Sequence, residues 1–215
     1  MANHELIYRG KKVLDSFSKP ILVCGCGAIG SNLIDNLVRI GFTNLTVLDM
    51  DRIEHDNIRT QIWSMSDIGG YKTAQIQNKM VDVLNVQVNT INKKLDTNNL
   101  AKLLKSHKLI VDAFDNTTSR TLIKKFASDQ NVSCIHAGLF EDYGEVFWNE
   151  TYTVPQDGGL DICDYPLARN IILLLVVTLT EEIIKWCTSE TLNCWTITLK
   201  DLKISCLTNK KGMVK

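Results

Sequence analysis

The stretch ILVCGCGAIGSNLIDNL, residues 21 to 37, constrains the fold more than any other part of the chain. Branched apolar residues run straight into three glycines and then into a segment with Ile29, Leu33, Leu37 and Ile40 on one face, the pattern of strand, tight turn and helix. Gly25, Gly27 and Gly30 match G-x-G-x-x-G. In such a loop the first glycine permits the turn, the second lets the backbone approach a phosphate, and the third lets helix pack closely on strand. The positive end of the helix then faces the phosphates, so Ala28 and Ile29 in its first turn join the glycines as nucleotide-contact candidates. Asp49 follows 19 residues beyond Gly30, at the tip of the next apolar run, where a carboxylate can accept hydrogen bonds from ribose hydroxyls. A turn with a purely structural role would need the same glycines. Neither feature separates NAD from ATP.

The rest of the chain continues the alternation. Strands are expected at Ile21 to Cys24, Leu45 to Leu48, Val86 to Ile91, Leu109 to Ala113 and Val132 to His136. Helices are expected at Ala28 to Ile40, Tyr71 to Leu84, Asn98 to Leu104 and Thr117 to Ser128, with Gly41 ending the first and Asn116 or Thr117 capping the last. Strand and helix repeated in this way imply a Rossmann-like, doubly wound α/β fold on a mainly parallel sheet, with right-handed crossovers. After residue 138 the pattern changes. EVFWNETYTV and WTITLKDLKISCL read as antiparallel C-terminal strands, separated by the polar loop PQDGGLDICDYP and an apolar helix over residues 167 to 187.

Lysine and arginine number 24, as do aspartate and glutamate, so no overall field draws the chain to nucleic acid or to a membrane surface. The longest apolar run, Ile171 to Leu179, is far short of the roughly 20 residues a span requires. Seven cysteines without paired spacing suit a reducing, cytoplasmic setting, and the N-terminus MANHELIYRGKK has no signal-peptide core.

The nucleotide question is settled further along, in DMDRIEHDNIRTQ, DIGGYKTAQ and VDAFDNTTSR. Asp49, Asp51, Asn57, Arg59, Lys72, Asp115, Asn116 and Arg120 come from loops after strands or from the segment after the second strand, and can converge on the crevice beyond the strand C-termini. Asp115 can hold Mg²⁺, while Lys72 and an arginine can neutralise a triphosphate. A dinucleotide dehydrogenase has little use for such a cluster.

The order GCGAIGS, DMDRIEHDN, IGGYK and DNTTSR resembles the ThiF/MoeB-like adenylyltransferases of the ubiquitin-activating-enzyme-like superfamily, from about Ile21 to Gly138 and more weakly to Cys187. The resemblance implies that the aspartate matching Asp49 binds ribose, that Asn57 and Lys72 contact phosphates, and that Asp115 is tied to Mg²⁺. Catalysis would then rest on Asp115, Lys72, Arg59 and Arg120. The family's usual N-L-x-R-Q reads N-I-R-T-Q here, with Thr60 in the arginine position and Arg59 one residue early. Arg9, in IYRGK, matches an arginine that in dimeric relatives enters the neighbouring subunit's site. Residues 1–20 form an N-terminal segment on this reading, 21–207 a single adenylation domain, and 208–215 a flexible tail.

The resemblance implies an ATP- and Mg²⁺-dependent adenylyltransferase that converts the C-terminal carboxylate of a ubiquitin-like protein or peptide to an acyl-adenylate, as a homodimer. Alternatives are an NAD-dependent oxidoreductase, a catalytically weakened nucleotide-binding scaffold, and adenylation of a small or tRNA-borne carboxylate. The two C-x-x-C pairs that hold zinc in many relatives are missing, so zinc is not expected. Cys163, in the polar loop, is the thioester candidate, against a structural or incidental thiol. Cys134, Cys187 and Cys206 read as core. His136 reads as a carboxylate contact or a hydrogen-bonded core histidine, Lys124 and Lys125 as solvated charge, and Trp148 and Trp195 as packing for the later sheet.

Overall fold

The computed structural model describes residues 4–156 and 167–207, so Cys163 and the tail from residue 208 lie outside the described residues. Two short helices, α1 (His4–Arg9) and α2 (Lys11–Asp15), lead into strand β1 (Ile21–Cys24), helix α3 (Ala28–Ile40) and strand β2 (Leu45–Leu48). Then come α4 (Lys72–Leu84), β3 (Asn89–Ile91), α5 (Leu100–Leu104), β4 (Leu109–Asp112), α6 (Thr117–Gln130) and β5 (Ser133–Phe140). The chain continues with β6 (Tyr143–Trp148), α7 (Arg169–Thr188), β7 (Cys194–Thr198) and β8 (Lys203–Leu207). One eight-stranded sheet runs β3-β2-β1-β4-β5-β6-β7-β8. Pairings from β3 through β5 are parallel, and those from β5 to β8 antiparallel. This is the doubly wound, mainly parallel Rossmann-like sheet with antiparallel C-terminal strands that the residue pattern implies.

Strand alternation divides the apolar residues between two layers. Ile21, Val23, Leu45, Val47, Leu109, Val111, Ile135 and Ala137 pack with Leu33 and Leu37 of α3, Ile76 and Met80 of α4, and Leu175 and Leu179 of α7. Leu22, Cys24, Leu48, Ile110 and Cys134 face the opposite way, against Leu103 and Leu104 of α5 and Ile123 and Phe126 of α6. Both faces of the central strands are covered, which is why they read as unbroken apolar runs. Among the described residues no helix is long and apolar enough to cross a membrane.

Four expectations need correction. The third strand is shorter than Val86 to Ile91, because Asn85 adopts φ 56° after α4 and the Val86 amide donates back to the Met80 carbonyl at 3.3 Å. That closes the helix with a left-handed cap and delays the strand to Asn89. The fifth strand runs past His136 to Phe140, and turns at Glu141 (φ 52°) into β6. EVFWNETYTV is a strand only to Trp148, whose carbonyl accepts from the Thr151 and Tyr152 amides at 3.0 and 3.1 Å and so turns the chain, while WTITLKDLKISCL forms the antiparallel hairpin β7–β8, with Leu202 at φ 50°. Cys206 is exposed, because β8 is the sheet edge and has neither face covered.

Candidate nucleotide site

The mouth of the site lies beyond the C-terminal end of β1. Gly25 follows the strand with φ 99°, and a Cβ there would stand 2.8 Å from the Ala113 carbonyl oxygen. At Gly30 a Cβ would stand 1.9 Å from the Gly25 carbonyl oxygen, so the helix can pass under the loop only without a side chain. Gly27 differs: a Cβ there would meet nothing within 4 Å. Gly27 also precedes α3, and no side chain caps that helix. An uncapped helix leaves first-turn amides for an outside acceptor, and the open space over Gly27, with Ala28 and Ile29 behind it, fits a phosphate group.

Asp49 closes one side of this mouth. It is 5% exposed, and its carboxylate accepts from the Cys26 amide at 2.6 Å and the Asp51 amide at 2.7 Å. These bonds couple the glycine loop to the end of β2. Each oxygen accepts one of them, leaving lone pairs for ribose hydroxyls. Burial pushes the Asp49 carboxyl above its ordinary range, while Lys72 and the two amides pull it back in part. Lys72 is the first residue of α4 and is 7% exposed. Its Nζ donates to Asp51 Oδ2 at 3.1 Å, and its amide to the Asp51 carbonyl at 2.9 Å. Asp51 thereby fixes both ends of the lysine.

Asp115 stands on the other side, in the turn between β4 and α6, with its side chain exposed. Asn116 caps α6 by accepting from the Ser119 amide at 2.9 Å. Because β2 and β4 both border β1, the loops bearing Lys72 and Asp115 leave strands about 10 Å apart. Asn57 lies in the 3₁₀ turn His55–Arg59, its Oδ1 accepting from the Glu54 amide at 3.0 Å and its NH₂ still available as a donor. Arg59, in the same turn, is exposed. Arg169 of α7 ties that segment to α3, donating to the Thr60 carbonyl at 2.8 Å and to Asn32 Oδ1 at 3.0 Å.

Two candidate arginines are tied to other groups of the chain. Arg120 is 8% exposed, donating to the Tyr152 hydroxyl at 2.7 Å and the Ala137 carbonyl at 2.9 Å. Arg9 is held within its own chain by Glu5 and, through two hydrogen bonds, by Glu181 of α7. Lys124 is not solvated charge: its Nζ donates to the Asn149 and Tyr152 carbonyls, whereas Lys125 pairs with Asp129 at the surface. His136 is a fully buried core residue. Its partners, Asp112, Asn149 and Tyr152, carry no signal in sequence as a group. Asp112 hides at the end of an apolar strand, and the others lie beyond it in the turn after β6.

One exposed carboxylate beside a phosphate cradle is a donor set that suits Mg²⁺, which commonly takes one or two carboxylates together with phosphate oxygens. No group of three or more histidine, cysteine, aspartate or glutamate side chains with metal-binding geometry occurs among the described residues.

Fold and mouth together define the class: a Rossmann-like domain whose glycine loop is followed by a lysine and a carboxylate. More particularly, the ThiF family model matches residues 5–178, and the chain belongs to that family. It is 26% identical over 153 residues to a SAMP-activating enzyme E1 of Haloferax volcanii, covering 70% of this chain and 55% of that protein. It is 27% identical over 128 residues to a sulfur carrier protein adenylyltransferase of Thermus thermophilus, covering 59% and 47%. The chain thus spans about half the length of these relatives. Among solved structures, E. coli MccB with MccA-N7isoASN superposes with a TM-score of 0.81 at 17% identity, covering 95% of this chain and 69% of that one. This last likeness concerns the fold.

Proposed function

We propose that this chain is a Mg²⁺- and ATP-dependent adenylyltransferase that activates the C-terminal carboxylate of a ubiquitin-like protein or peptide. The reading is supported by four features on β1 and on the segments that follow its neighbours β2 and β4: the open helix start at Gly27, the buried Asp49, Lys72 held by Asp51, and the exposed Asp115. Membership of the ThiF family supports it, as do relatives described as a SAMP-activating enzyme and a sulfur carrier protein adenylyltransferase.

In such a reaction a carboxylate oxygen attacks the α-phosphorus of ATP, a new O–P bond forms, and the bond to the leaving pyrophosphate breaks. Two anions must meet, so the protein's contribution is position and charge rather than a nucleophile of its own. Asp49 and the first turn of α3 hold ribose and phosphate, Asn57 donates to phosphate oxygens, and Lys72 offsets charge on the polyphosphate. Asp115 is the residue that would hold Mg²⁺, which supplies Lewis-acid neutralisation of the phosphate oxygens. Arg59, exposed in the 3₁₀ turn, adds a second cation toward the same charge. Arg120 supports the site from below.

ATP–pyrophosphate exchange in the presence of candidate carboxylate-bearing proteins tests this, followed by mass analysis for an AMP adduct. Asp115→Ala is expected to lower exchange about 100- to 1,000-fold, the loss typical of one transition-state charge contact. Wild-type exchange in that variant, or NAD turnover without ATP binding, refutes the reading.

A further inference from the structure

His136 lies on β5 with no exposed surface, and each of its ring nitrogens faces an acceptor. Nδ1 is 2.8 Å from Asp112 Oδ2, and Nε2 is 2.8 Å from Asn149 Oδ1. The orientation of the Asn149 amide follows from its other contacts. Its Nδ2 donates to the Lys124 carbonyl at 3.3 Å and to Ser128 Oγ at 2.8 Å. Turning the amide over would set its oxygen against that carbonyl. A neutral imidazole carries one N–H, and neither a carboxylate nor an amide oxygen can donate to the other nitrogen. Both contacts are made only by a ring with two protons. Tyr152 stacks on that ring with centroids 3.9 Å apart and an interplanar angle of 11°, offering its face to a cation.

We propose that His136 is held as a buried imidazolium and serves as the positioning residue for the loop that carries Asp115. Its proton on Nδ1 holds Asp112, whose Oδ1 accepts from the Phe114 amide at 3.2 Å. The Ala113 amide in turn donates to the Cys24 carbonyl at 2.9 Å, and the Ala113 carbonyl abuts Gly25. One buried ion pair therefore fixes the turn from Ala113 to Asn116 against the glycine loop. Isolated charges are expensive to bury, and such a pair survives where its remaining donors and acceptors are satisfied. Asp112 is satisfied by His136 and the Phe114 amide, and His136 by Asp112 and Asn149. Arg120 of α6 lies 4.0 Å from Asp112 Oδ2, Lys124 of α6 binds the Tyr152 carbonyl, and half-buried Glu145 of β6 feels both Arg120 and His136. Cys134 of β5 places its sulfur 3.5 Å from Nε2.

The link to Mg²⁺ rests on the adenylation reading through Asp115, whereas the charge state of His136 does not. Nitrogen NMR on the full chain labelled at histidine reads the ring directly, with His136→Gln identifying its signals. Protons on both ring nitrogens are expected in the wild type, and a ring with one overturns the proposal. In Asp112→Asn the ring should drop to one proton; keeping both would also overturn it. Glutamine cannot donate on both sides, so in His136→Gln the Mg²⁺ concentration for half-maximal exchange should rise about 10- to 100-fold, as for other groups that orient a metal ligand. Affinity for ATP without Mg²⁺ should stay at the wild-type value. An unchanged Mg²⁺ requirement in folded His136→Gln refutes the positioning role. A wild-type chain without exchange refutes the adenylation reading, while the NMR result still decides this one.

Discussion

Asp49 just beyond β2 and Asp112 at the end of β4 flank β1 from opposite sides at the same end of the sheet. Both are buried, and both accept a backbone amide from the turn that follows their own strand. They differ in what else they hold. Asp49 takes its second amide from the glycine loop and faces Lys72, whose partner Asp51 is more than half exposed. Asp112 faces a sealed set of side chains from β5, α6 and the turn after β6. One carboxylate keeps a small exposed surface and acceptor capacity to spare, and the other has no exposed surface. Position at a strand end therefore does not by itself make an acid a ligand contact. The partner on the far side decides.

The largest expected effect falls on the enclosed side. Asp112→Ala strips the counter-charge from His136 and leaves the Phe114 amide unpaired, and breaking a buried ion pair of this type costs about 3–5 kcal/mol. Urea unfolding should register that loss. Asp115→Ala, two residues into the same turn but exposed, should stay within about 0.5 kcal/mol of the wild type while losing exchange. Equal stability of the two variants would erase the distinction between the sides.

The same contrast explains what could be read from the residues alone. Strands β1, β2 and β4 announced themselves because burial on both faces makes ILVC, LTVL and LIVD nearly continuous apolar runs. Gly25, Gly27 and Gly30 carried a spacing with a mechanical meaning at each position. Lys72 and Asp49 drew notice in sequence because both follow strand β2 in order, and the structure links them through Asp51. The enclosed side was not. Asp112 and His136 are 24 residues apart and meet only because β4 and β5 pair in register, and nothing local marks Asn149 or Tyr152 as their partners. Strand ends depended on similar long-range pairing. The extension of β5 to Phe140 follows from the hairpin with β6, and the break in WTITLKDLKISCL from a left-handed residue, Leu202, that propensity disfavours.

A smaller effect is expected from pH at the open side. Burial raises the folded-state pKa of Asp49 above its ordinary value of 3.8, so the folded chain holds that proton more tightly than the unfolded chain. This contribution to stability is complete below the ordinary value and is lost as pH rises through the raised one. Asp49→Asn, which cannot titrate, should therefore lack a component of acid-side stabilisation that the wild type has in the interval just above 3.8. As pH falls through the same interval wild-type nucleotide affinity should fall, since a protonated carboxyl loses acceptor capacity toward ribose. Parallel pH profiles for the two proteins would show that Asp49 is not the strained acid its burial implies.

The smallest effect concerns the two thiols on either side of Gly25. Cys24 lies beneath Asp112 and Cys26 beside Asp49, and burial, with the neighbouring carboxylate, pushes both thiols well up. Only Cys26 also feels Lys72, which draws its thiol back toward reactivity. Cys206, exposed on the edge strand β8, has no such shield. Peptide-resolved alkylation of the native chain should therefore modify Cys206 at once, and Cys206→Ser should shift stability by no more than about 0.5 kcal/mol. Under mild denaturant Cys26 should react ahead of Cys24, because it has a cation, Lys72, to stabilise its thiolate. Simultaneous labelling of Cys24 and Cys26 would mean that the turns around β1 open as one unit, and that the buried ion pair holds both sides of the mouth rather than one.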